Sequence, residues 1–200
     1  MSTQRSDRAA SSRAPRLLGR ERPWGLIVAG ALVVAVLAAF VVALVLDLRS
    51  GGGGPPGGVE DIDVGQAGKH TEAAVDYPQS PPAGGEHNPV WQNEGFYEEP
   101  VRNETAVHTL EHGAVWITYQ LDLPEGQKDT IRALVEAQTC VLASPYEGLD
   151  APVVASAWGK QVGLDGADDP DLESFIRAYL QGPQTPEPGA SCTGGTADPA

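Results

Sequence analysis

Four histidines fall within 43 residues of one another: His70, His87, His108 and His112. No other histidine occurs in the 200-residue chain. His108-Thr-Leu-Glu-His112 spaces two imidazoles at i, i+4, so on a helical turn both rings face one side and can share a metal ion. Glu104 through His112 is long enough for two turns, stopped by Gly113. His87 is on a loop that can swing it in as a third ligand, and His70 is available as a fourth. Glu111 is expected behind the ligands, orienting an imidazole. Imidazole suits Cu2+ or Zn2+. The only methionine is Met1, which argues against a thioether site for Cu(I). Binding needs neutral rings, so affinity is expected to fall below pH ~6.5.

The same five residues match His-x-x-Glu-His, the inverted zinc-protease motif. That motif needs a long supporting helix, whereas Gly113 and a strand follow at once. The chain has no Gly-x-Ser-x-Gly and no Cys-x-x-Cys, and no catalytic residue is assigned. Three functions fit this residue set. The first is metal binding or delivery. The second is a non-catalytic interaction module of the cell envelope whose histidines are structural. The third is a metal-dependent hydrolase.

The elements that must position these residues follow from pattern. Residues 77–91 hold four prolines and two glycines, which forbids helix or central strand. Ala114–Tyr119 is rich in β-formers and reads as a strand. Residues 126–138 place Ile131, Leu134, Val135 and Gln138 on one helical face. Cys140–Ala143 and Val153–Trp158 read as two more strands. Asp169 can cap a last helix, with Pro170 at its first position and Leu172, Phe175, Ile176, Tyr179 and Leu180 as its apolar stripe. Gly182 and Pro183 stop it. This order predicts an α+β domain, a small mixed sheet with two helices packed on one face.

Charge and hydropathy place that domain. Six arginines stand against Asp7 and Glu21 in residues 1–23, a net of +4. Gly25 to Leu46 is 22 residues without a charge. A helix of that length spans ~33 Å, enough for a hydrocarbon core. The reading is a basic cytoplasmic tail (1–23), a single transmembrane helix (24–46), a flexible Gly/Pro linker (47–65), an extracytoplasmic domain (66–182) and a tail (183–200) pinned near Cys192. The positive-inside bias keeps the N-terminus in the cytoplasm and puts the rest outside the cell membrane. Residues 50–200 carry six Lys/Arg against 24 acids. A net charge of −14 for the whole chain excludes binding to nucleic acid through its phosphates. The partners expected are the membrane, through residues 24–46, and a metal-handling or envelope protein. Cys140 and Cys192 both lie outside, where a disulfide is the default.

Several motifs resemble a known family. They are Pro81-Pro82-x-x-Gly85-x-His87-x-Pro89-x-Trp91, Gly95-x-Tyr97, Val107 through Trp116, Ser144-Pro-Tyr146, Ala157-Trp-Gly159 and Pro186-Glu-x-Gly189-x-x-Cys192. They are similar to membrane-anchored actinobacterial proteins grouped as domain of unknown function 3105. The resemblance runs from about His70 to Cys192 and implies no established activity. It includes positions matching all four histidines, which favours the metal reading. It also implies that the position of Glu94 is often cysteine, the partner of the C-terminal one. Here either Cys140 has taken over that pairing or the two thiols are not bonded.

Overall fold

The computed structural model describes residues 24–51 and 55–200. The basic tail 1–23 and linker positions 52–54 lie outside the described residues. The chain divides into two compact units after Gly51.

In the first unit, helix α1 runs Trp24–Gly51. Its side chains are described continuously over residues 28–42, and all are exposed. That stretch is shorter than the uncharged run, and among the described residues no helix is long and apolar enough to cross a membrane. The span expected over 24–46 therefore rests on the sequence.

The second unit is an α+β fold built on a six-stranded mixed sheet. Its strands are β1 (Glu60–Asp61), β2 (Gly95–Phe96), β3 (Val115–Tyr119), β4 (Val141–Pro145), β5 (Val153–Ala157) and β6 (Lys160–Leu164). They lie in the order β1-β6-β5-β3-β4-β2. β3 runs parallel to β4 and antiparallel to β5. A parallel pair needs a long crossover, and helix α3 (Glu125–Glu136) supplies it. Helix α4 (Pro170–Tyr179) begins as its sequence requires: the Asp169 carboxylate accepts from the Asp171 N–H, with proline in the first turn.

β3 is buried on both faces, and this organises the layers. Val115, Ile117 and Tyr119 join a core with Ile131 and Val135 of α3 and Leu172, Phe175 and Ile176 of α4. Trp116, pointing the other way, packs with Leu142 and with Ala106, Val107 and Leu110 of helix α2 (Asn103–Glu111). Helices therefore cover both faces rather than the one expected, because a strand with no solvent-facing side needs a layer on each.

β1, β2 and β6 also depart from expectation. β6 carries no strand pattern of its own, with Lys160 and Gly163 poor strand formers. It forms because it pairs with β5 from Ala157↔Lys160 to Val153↔Leu164. The linker stretch 47–65 contributes β1, which is held to β6 by the Asp61–Lys160 ion pair and by the Ile62 N–H on the Gly159 carbonyl.

Candidate metal centre

Helix α2 is short, and from Glu104 to Glu111 every residue is buried. Ala106, Val107 and Leu110 meet the sheet. The opposite side carries Thr105, His108, Thr109 and Glu111, and buried polar groups of this kind need partners. The proline-glycine loop supplies them. The Asn88 N–H donates to the Glu104 carbonyl, the Gln92 N–H to the Thr105 carbonyl, and the Thr109 hydroxyl to the Gln92 carbonyl at 2.6 Å. The loop is thereby fixed over α2, with His87 facing Glu111.

His70 arrives from a third segment. The Thr71 N–H donates to the His87 carbonyl at 2.7 Å and the His87 N–H to the Lys69 carbonyl at 3.0 Å, forming a parallel bridge between His70 and His87. The Gly68 N–H donates to Glu111 Oε1 at 2.6 Å. The rings of His70, His87 and His108 then lie 4.8 to 5.0 Å apart, centre to centre.

Hydrogen bonding sets the tautomers. His87 Nδ1 lies 2.8 Å from the Gly85 carbonyl and His108 Nδ1 lies 2.6 Å from the Asn88 carbonyl. A carbonyl oxygen only accepts, so each Nδ1 carries the hydrogen and donates it. In the neutral ring Nε2 is then a free lone pair, and the ring orientation is fixed in the way metal-ligating histidines are usually held. Burial pushes the His108 imidazole down to about 4. The Asn88 carbonyl opposes this, and the neighbouring histidines add to it. His108 is therefore neutral at physiological pH, the state a metal requires.

The decisive pair is His87 with Glu111, both fully buried. His87 Nε2 and Glu111 Oε2 are 3.0 Å apart, yet neither has a hydrogen-bond partner. A lone pair and a carboxylate oxygen held together in a buried place repel one another unless a proton or a metal ion joins them. One ligand atom from each of His70, His87, His108 and Glu111 falls within 4.8 Å of the other three. This cluster can hold a metal ion.

The His112 ring lies 4.6 Å from that of His108, but its nitrogens fall outside that group. Its Nδ1 donates to the Ser191 carbonyl at 2.6 Å and its Nε2 is 3.6 Å from the Glu187 carboxylate. On a helix, residues three and four ahead of His108 fall to opposite sides of it. The loop bearing His87 approaches on the Glu111 side and the C-terminal tail on the His112 side. Glu111, expected behind the imidazoles, thus brings its carboxylate among them, while His112 holds the tail. This differs from the inverted protease arrangement, in which both histidines of the pair bind metal. Gly113, at φ +94°, turns the chain beside His112, and a Cβ there would come within 2.8 Å of the Thr185 side chain.

The tail is fastened by the Cys140–Cys192 disulfide, with a Cα–Cα separation of 5.2 Å. Of the two possibilities left by the sequence, the thiols are bonded. Glu94 donates its N–H to the Cys192 carbonyl, and its carboxylate accepts the Cys140 N–H. Trp91 closes the site from the tail side, with its ring 5.7 Å from that of His108 and 5.0 Å from that of His112. Gly195 lies so close that a Cβ would sit 2.2 Å from the Trp91 carbonyl.

A family model described as "Protein of unknown function (DUF3105)" matches residues 69–194. No curated protein and no solved structure matches the chain. The matched segment takes in all four histidines, Glu111 and both cysteines.

Proposed function

The chain belongs to the DUF3105 family, and from that premise we propose that it binds a divalent transition-metal ion, Cu2+ or Zn2+, for storage or delivery. His87, His108 and Glu111 are the buried ligands and His70 the fourth. The observation that carries this reading is the unpartnered, buried pair His87 Nε2 and Glu111 Oε2 at 3.0 Å. Three imidazoles with one carboxylate suit borderline ions. Soft ligands are lacking nearby, because both thiols are paired and the only methionine is Met1.

In this reading the domain works outside the cell membrane, tethered by residues 24–46 with its N-terminus in the cytoplasm. Support comes from the uncharged run, from the arginines that precede it, and from a disulfide of the kind found in oxidising compartments. The acidic domain raises the local concentration of cations, and a metal-handling or envelope protein is the partner.

Elemental analysis of the full chain, purified without a histidine tag, tests the reading. About one equivalent of copper or zinc is expected in the parent and none in Glu111→Gln, whose amide keeps the shape but not the charge. A folded parent that holds no metal after Cu2+ and Zn2+ are added would overturn it.

A further inference from the structure

The four ligands are not alike. His87, His108 and Glu111 are buried, whereas the His70 side chain is 42% exposed. His87 and His108 are each locked by an Nδ1–H to a backbone carbonyl, and Glu111 by the Gly68 N–H. His70 Nε2 lies 4.0 Å from Glu111 Oε2, beyond hydrogen-bond reach. His70 closes a run of exposed residues from Gly65. Three hydrogen bonds fasten this strap over the site, and each ends on His87 or Glu111.

We propose that His70 is the exchangeable ligand of this centre and the position through which metal is handed to or taken from a partner. This deepens the metal-binding reading and rests on it. The buried trio is pre-organised and keeps the ion oriented. The bond between the metal and His70 Nε2 breaks, and a nitrogen donor from the partner, such as an exposed imidazole, forms a bond in its place. No electron changes hands, and the ion keeps its charge throughout. Geometry favours this ligand over the others: its ring faces solvent, and releasing it exposes no buried polar atom. Releasing His87 or Glu111 would instead strand a group inside the fold.

The test loads the full chain with Zn2+ and follows transfer of the metal to a chromophoric chelator, in the parent, His70→Ala and His87→Ala. The expected result is that His70→Ala keeps its full equivalent but releases it roughly tenfold faster or more, since affinity differences between related complexes lie mostly in dissociation. Free imidazole should slow that release back toward the parent rate by filling the vacated position. His87→Ala should hold no metal. Two results would overturn the proposal: a release rate unchanged by His70→Ala, or complete loss of metal as in His87→Ala. The first would mean His70 is not a ligand, the second that it ranks with the buried ones. A parent that binds no metal would overturn this proposal together with the reading it rests on.

Discussion

The two faces of the central sheet are built on different principles. On one, Val115, Ile117 and Tyr119 meet α3 and α4 through apolar side chains. On the other, Trp116 shares its layer with Thr118, Ser144 and Ser156, all buried and hydrogen-bonded. Helix α2 covers that face and buries two glutamates, two threonines and a histidine. Apolar burial needs only matching area and shape. Polar burial needs a partner for each atom, and on this face nearly every atom finds one. Among the atoms without a partner, His87 Nε2 and Glu111 Oε2 face one another in the cluster that could hold a metal ion. The apolar face keeps the fold together, and the polar face carries that cluster.

The sharpest way to break the comparison is to empty the apolar face. Phe175 is fully buried in the α4 layer, its ring 4.7 Å from that of Tyr179. Phe175→Ala is expected to cost about 3–5 kcal/mol by the loss of burial and the cavity left behind. Denaturant titration followed by tryptophan fluorescence measures it. Metal content per folded molecule should stay unchanged, because none of the four proposed ligands lies in that layer. A variant that folded well but lost its metal would show that the two faces are coupled.

The same division explains what could be read from the chain alone. The α4 cap, its proline and its stripe carry their own instructions, as does the alternation of β3. The stripe, with Val115, Ile117 and Tyr119 of β3, belongs to the apolar face, where local pattern and tertiary need agree. β6 has no such pattern and exists because β5 offers it a register. On the polar face, residue types were legible and directions were not. The cluster of His70, His87 and His108 could be anticipated from their nearness in sequence. That Glu111 rather than His112 joins that cluster could not, since both flank His108 on the helix. The choice between them depends on which side the Asn88 loop docks, a matter of long-range contacts.

A second prediction concerns the polar face by itself, in the metal-free chain. Burial holds the folded His108 imidazole down at about 4, against an ordinary value of 6.5. Above 6.5 both folded and unfolded states are neutral, and the full stability is present. As the pH falls below 6.5 the unfolded chain takes up the proton first, so stability is lost through the window down to about 4. The integrated loss is about 3 kcal/mol. Stability measured from pH 7 to 4 in the presence of chelator should fall more steeply for the parent than for His108→Gln. Parallel profiles would mean that the ring is solvated in the folded state.

The smallest effect sharpens the comparison most, because it separates two histidines four residues apart on one helix. His112 is as buried as His108, but its partners are the Ser191 carbonyl and the Glu187 carboxylate, both in the tail. His112→Gln removes the ring and its Nδ1–H bond to the Ser191 carbonyl and should cost about 1 kcal/mol, the net worth of one hydrogen bond. The Glu187 contact adds little, since that carboxylate is half exposed and an exposed pair is weak. Metal content should stay at the parent level, whereas substitution of a buried ligand, His87 or Glu111, would remove it. Elemental analysis beside a denaturation curve reads both quantities on one sample. Loss of metal in His112→Gln would bring His112 into the coordination sphere, and the division of labour on α2 would have to be redrawn. Full retention would leave this helix with one side for the ion, at His108 and Glu111, and one for the tail that the disulfide pins beside it.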